Sequence, residues 1–145
     1  MAIVMIQGPD GTEGRPSIEC VGATLTERAR GAGQTLLQYR CGTEDQLLER
    51  LAKIDRGQAD IILLNPGRCS NGSAALQNTL NHLEVPYIEV HDDSHDRPEP
   101  VIPAGAGTRL ALVNGYAAQS YTLAMSLALE QLGCADSEND FNVGT

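Results

Sequence analysis

The run Asp60-Ile61-Ile62-Leu63-Leu64, closed by the turn Asn65-Pro66-Gly67, constrains this chain more than any other feature. An apolar run with no polar alternation, ended by a turn, describes a strand buried on both faces. Such a strand needs helices above and below its sheet, the condition met by a parallel α/β sandwich. The flanking sequence supplies both kinds of element in alternation. Short apolar runs predict strands over residues 2–6, 35–39, 60–64, 86–90 and 110–113. Between them, helical spacing predicts a helix over 24–32, with Thr24 or Thr26 as cap and Gly31 and Gly33 at its end. A second helix is capped by Thr43. It sets Leu47, Leu48, Leu51 and Ile54 on one side, with Glu44, Asp45, Glu49 and Arg50 toward water. Two more are expected over 73–83 and over 117–132, the last ended by Gly133. Right-handed crossovers between parallel strands then favour the order 2-1-3-4-5, with a switch point between strands one and three.

Two stretches break the alternation. Residues 8–22 carry four glycines and two prolines and read as a long loop, of the length that usually serves binding or moves. Residues 92–107 hold prolines at 98, 100 and 103 and read as irregular. At 145 residues the chain is expected to be one domain over 1–134 with an acidic, frayed tail over 135–145. A chain of this size buries roughly 70% of its unfolded surface, so it needs no staple.

The formal net charge of -9 argues against nucleic acid, whose phosphates require a basic stripe, and gives no attraction to an anionic membrane. No stretch approaches the roughly 20 apolar residues of a membrane span. With no Trp and 3% aromatic residues, base-stacking platforms are lacking. Cys20, Cys41, Cys69 and Cys134 form no CxxC pair and no zinc-like spacing with histidine, so neither metal nor cofactor is expected. The short apolar start, residues 1–6, lacks the charge and length of a secretory signal, which leaves a reduced, cytoplasmic protein as the expectation.

Ligands of open parallel sheets bind outside the carboxyl ends of the strands. Asn65 and His91 follow the third and fourth strands and so stand on one rim, beside each other. An amide there holds a carbonyl or hydroxyl, while the bland alternative is a turn residue before Pro66. An imidazole there can move a proton near neutral pH, against the alternative of a structural histidine. His82 falls on a helix surface and His95 in an irregular loop. Gly67 and the helix start near Asn71 offer backbone N–H groups to an anion, or capping alone. Asp10, in the first long loop, reaches the same rim, as do Asp92 and Asp93 after His91. Arg15 and Arg97 could clamp a carboxylate. The expected partner is thus a polar small molecule, held in a cavity shared by the imidazole and the carboxamide.

In order and spacing these residues resemble the type II 3-dehydroquinate dehydratases, over nearly the whole chain from Ala2 to Leu132. Gly8-Pro9 looks like the family's NGPN, Arg15-Pro16 its lid REP, and Glu44 with Leu47 and Leu48 its QSNxEGxLI. Asn65-Pro66-Gly67 with Ser73, Ala75 and Leu76 is similar to NPGAYTHTSVAL. The segment from Pro86 to His91 is similar to PxVEVH, and Tyr121-Thr122-Leu123-Ala124 to GYxLAL. The resemblance implies a flavodoxin-like three-layer α/β sandwich and a trimer-based dodecamer. It also implies trans-elimination of water from 3-dehydroquinate through an enolate. By that resemblance Arg15 is the lid arginine, Asn65 organises a water against the enolate, and His91 gives a proton to the leaving hydroxyl.

The chain departs from the family at several of these places. Cys20 stands where the lid tyrosine, the general base, is found, and Asn71 replaces the substrate-binding histidine. Asp10 replaces the asparagine that closes NGPN, and Asn78 the aspartate of ALRD. Asp92-Asp93-Ser94 follows His91 in place of a Ser-Asn pair. Arg97 keeps the arginine of HxRE, but a later substrate arginine has no counterpart among residues 98–107. A Cys20 thiolate beside Arg15 is a conceivable base, although shorter than tyrosine. Three readings follow: a divergent dehydratase acting on 3-dehydroquinate or a related polyol acid, a non-catalytic homologue binding a metabolite or partner, or an enzyme using Cys20 or Cys69 as nucleophile.

Overall fold

A computed structural model describes residues 2–8, 17–67, 74–91, 102, 105–114, 116 and 119–133. The elements run β1 (Ala2–Gln7), α1 (Ser17–Gly31), β2 (Thr35–Arg40), α2 (Glu44–Ala52), β3 (Ile61–Asn65), α3 (Ala74–Asn81), β4 (Tyr87–Val90), β5 (Arg109–Val113) and α4 (Gln119–Gln131). The five strands form one parallel sheet in the order β2-β1-β3-β4-β5. This is the expected order. Every residue of β3 is buried, as its unbroken apolar run requires.

The pleat divides the sheet's apolar side chains between two cores. Val4, Ile6, Ile62, Leu64 and Tyr87 pack on one face with Leu47 and Leu51 of α2 and Leu76 and Leu80 of α3. Ile3, Met5, Ile61, Leu63, Ile88 and Val90 pack on the other with α1 and α4, through Leu25, Ala29, Tyr121 and Met125. Two helices on each face complete the three layers. Among the described residues, no helix is long and apolar enough to cross a membrane.

Most boundaries agree with the expectation to within two or three residues, the ordinary fraying of element ends. Thr43 caps α2 as expected, its hydroxyl accepting from Gln46 N at 3.2 Å. One expected boundary moves, one strand carries an irregularity that its sequence does not announce, and one expected segment lies outside the described residues. First, the long loop ends at Ser17 rather than at Gly22, because α1 begins seven residues before the expected Thr24. Gly22 lies inside the helix, where a Cβ would sit 2.6 Å from the side-chain oxygen of Gln38 on β2. The glycine marks close approach of helix to strand, not a turn. Second, β5 does not keep strict alternation. Its register with β4 slips between Tyr87↔Arg109 and Ile88↔Ala111, leaving Leu110 as an extra residue. Third, the acidic tail over 135–145 lies outside the described residues.

Candidate active site

The carboxyl ends of β1, β3 and β4 carry the polar residues that the apolar strand interiors lack. Gln7 and Asn65 are register partners across β1 and β3, and both are buried. Each donates its side-chain amide to the hydroxyl of Tyr121 on α4, Gln7 Nε2 at 3.2 Å and Asn65 Nδ2 at 2.7 Å. Asn65 Oδ1 accepts from Gly67 N at 3.0 Å, and Gly67 takes a φ of 59°, so the amide also holds the Asn-Pro-Gly turn shut. Gly8 N donates to Asn65 O at 2.7 Å. A Cβ on Gly8 would meet Pro66 O at 2.6 Å, so only glycine lets the end of β1 close against this turn.

His91 follows β4 directly, its N–H bonded to Val113 O at 2.9 Å. The ring is fully buried, and its Nε2 lies 2.5 Å from Glu89 Oε2. Glu89 is fully buried too. Its carboxylate accepts from Ile102 N at 2.8 Å and, through Oε1, from Arg109 Nη1 at 2.8 Å. A buried carboxylate is tolerable only with such partners, and here three donors surround it. Tyr87, two residues before Glu89, donates its hydroxyl to Ala106 O at 2.5 Å. Its pKa is pushed up to about 12, first by burial and then by the charge of Glu89, with Arg109 opposing.

The expectation that Asn65 and His91 stand at the carboxyl ends of neighbouring strands holds: β3 and β4 are hydrogen-bonded partners. Within the strands themselves the two side chains leave the sheet on opposite faces. Strand alternation sends Asn65 toward Tyr121 and the α1/α4 core. His91 instead bonds to Glu89, a register partner of Leu64, on the α2/α3 side. Any ligand touching both must therefore lie across the strand ends, as ligands of such sheets do.

Of the other candidates, Gly67 is buried beside Asn65. Cys20 is on α1, not in a loop as expected, since the helix starts at Ser17. Asp10, Arg15, Asn71, Asp92, Asp93 and Arg97 lie outside the described residues, as does Cys69. Cys41, never a candidate, is a buried free thiol whose pKa burial pushes up, with Arg50 opposing. Sequence reasoning missed Glu89, Tyr121 and Arg109 as parts of the site. A signal for Glu89 was present: an acid in an otherwise apolar strand, two residues before His91, must share its face.

Comparison with known proteins gives one result throughout. The family described as dehydroquinase class II matches residues 8–129. The chain is 32% identical over 127 residues to a 3-dehydroquinate dehydratase of Stutzerimonas stutzeri, covering 86% of each chain. It is 34% identical over 125 residues to 3-dehydroquinate dehydratase 1 of Pseudomonas aeruginosa, covering 84% of each. In fold it is similar to a type II dehydroquinase of Propionibacterium acnes, with a TM-score of 0.72 at 22% identity over 87% of this chain and 96% of that one.

Proposed function

Because the chain belongs to the class II dehydroquinase family, we propose that it is a divergent type II 3-dehydroquinate dehydratase. As such it is a hydro-lyase that removes water from 3-dehydroquinate, or from a closely related polyol acid, by way of an enolate. The observation that carries this reading is the Glu89–His91 pair at the end of β4, beside the strand that Asn65 ends.

The chemistry assigns a task to each residue. A base takes the proton beside the carbonyl, and Asn65 organises a water against the resulting enolate oxygen. An amide carries two N–H donors and two acceptor lone pairs, so its bonds to Tyr121 and Gly67 leave capacity for that water. His91 then gives a proton to the departing hydroxyl, which leaves as water while the enolate collapses to the conjugated enone. With Nε2 turned to Glu89, that proton leaves from Nδ1. Glu89 fixes the ring's tautomer and supports the imidazolium that must exist before transfer. Cys20, in the place of the family's tyrosine, takes the role of base, with Arg15 favouring its thiolate. Asp10, Gly67, Asn71, Asp92, Asp93 and Arg97 line the substrate. The protein acts in the cytoplasm, as one domain over residues 1–134 with an acidic tail, and self-associates as a trimer-based dodecamer.

The test follows the enone product by its ultraviolet absorption. Wild-type protein is expected to turn over 3-dehydroquinate, and His91→Ala to lose about 10²–10⁴-fold in kcat. Cys20→Ser is expected to lose activity to a similar degree. Absence of the enone from wild-type reactions at saturating substrate, or equal rates for wild type and His91→Ala, overturns the reading.

A further inference from the structure

Arg109 is assigned a task by none of the family motifs, yet two observations tie it to the site. Its Nη1 donates to both Glu89 Oε1 and Ile102 O, each at 2.8 Å. Glu89 Oε2 in turn accepts from Ile102 N and faces His91. One carboxylate and one guanidinium thus hold both backbone groups of Ile102 and present the imidazole. The second observation is the register slip in β5. Under strict alternation Arg109 would share a face with Ala111 and Val113, which pack with the α1/α4 core. The extra residue, Leu110, turns Arg109 to the side of Tyr87 and Glu89 instead, the re-aiming that bulges beside active sites provide.

We propose that Arg109 is a positioning residue for His91, acting through Glu89; this rests on the reading of His91 as proton donor. The cluster of Arg109, Glu89 and a neutral His91 carries no net charge. Adding a proton to the ring makes the buried cluster cationic, so Arg109 works against the imidazolium that Glu89 favours. The two together keep the ring able to give a proton and take one back. Among the described residues, the other titratable groups on this face are Tyr87, whose hydroxyl is donated to Ala106 O, and, at the opposite edge of the sheet, Tyr39 of β2 and Cys41 just after it. Helices α2 and α3 contribute only leucines to this core: Leu47, Leu48, Leu51, Leu76 and Leu80.

Removing the cation leaves Glu89 and His91, whose uncharged combination is carboxylate with imidazolium. The His91 ring in full-length Arg109→Met, followed by histidine-selective nitrogen NMR, is therefore expected to titrate about one unit higher than in wild type. Arg109→Lys, which keeps the charge, is expected to bring the midpoint at least halfway back. In the enone assay Arg109→Met should lose roughly 10–100-fold in kcat with a much smaller change in KM, the scale on which loss of an outer hydrogen-bond partner acts on metal-binding histidines. Should Arg109→Met not fold, Arg109→Gln, which keeps a polar side chain without the charge, is expected to give the same upward shift. An unchanged midpoint in the uncharged variant overturns the proposal, as does a lysine variant that restores nothing. If wild type shows no turnover, the dehydratase reading fails, while the NMR titration still decides whether Arg109 acts on His91.

Discussion

The hydroxyl of Tyr121 is the single atom on which the two amides at the β1 and β3 ends converge. Its removal leaves Asn65 Nδ2 and Gln7 Nε2 buried without that acceptor, and unsatisfied buried donors are costly. Tyr121→Phe is expected to lower stability by about 1–3 kcal/mol in urea unfolding. Its kcat for enone formation should also fall, because the Asn65 amide then keeps, among the described residues, only its bond from Gly67 N. A variant with wild-type stability would show that Tyr121 is only filler. Asn65 and His91 themselves were legible in the sequence, since each directly follows an apolar run. Their bonding partners were legible in unequal degree. Glu89 sits two residues from His91 in a strand, so local spacing alone puts them together. Tyr121 is 56 positions from Asn65 and Arg109 is 20 from Glu89, and those pairings exist only once helix α4 and strand β5 are in place.

Elements were readable where their local signals agreed with their packing. Thr43 and the leucines of α2 satisfy both, and so does the apolar run of β3. The start of α1 is hidden because Gly22 lowers helix propensity, and only the position of the Gln38 side chain on β2 shows what the glycine packs beside. The bulge in β5 was invisible for a related reason: inserting Leu110 changes facing without changing composition. In the sequence Gly8 reads as part of a loop signal, but its role belongs to the joint between β1 and the turn after β3. There a new Cβ would meet the backbone carbonyl of Pro66, which cannot swing away as a long side chain can. Gly8→Ala is accordingly expected to destabilise by at least about 2 kcal/mol. It should also lower activity through movement of Asn65, whose carbonyl bonds Gly8 N. Equal melting temperatures for Gly8→Ala and wild type would refute the close joint.

At the scale of the whole molecule, alternation of strand and helix implied two buried sheet faces. The order 2-1-3-4-5 followed from handedness rather than from any residue. Stability against pH is a property at this same scale, and Tyr87 makes it testable. The fully buried Tyr87 is the register partner of Arg109, and its hydroxyl ties β4 to Ala106, in the connection leading to β5. Its folded pKa of about 12 lies above the ordinary tyrosine value of about 10. The folded state therefore holds this proton more tightly than the unfolded chain. The associated stabilisation is complete below about pH 10 and disappears as pH climbs toward 12, because only the unfolded chain releases the proton in that window. A two-unit shift corresponds to about 2–3 kcal/mol across the window. The net charge of -9 adds general repulsion at alkaline pH, but that term is common to variants with the same charge. Tyr87→Phe removes the titrating group and its bond to Ala106. It should be about 1 kcal/mol less stable at pH 8 yet lose less stability than wild type between pH 9.5 and 11.5. Urea unfolding of both proteins across that range measures the difference, and parallel alkaline limbs would mean that the Tyr87 proton is not held by the fold.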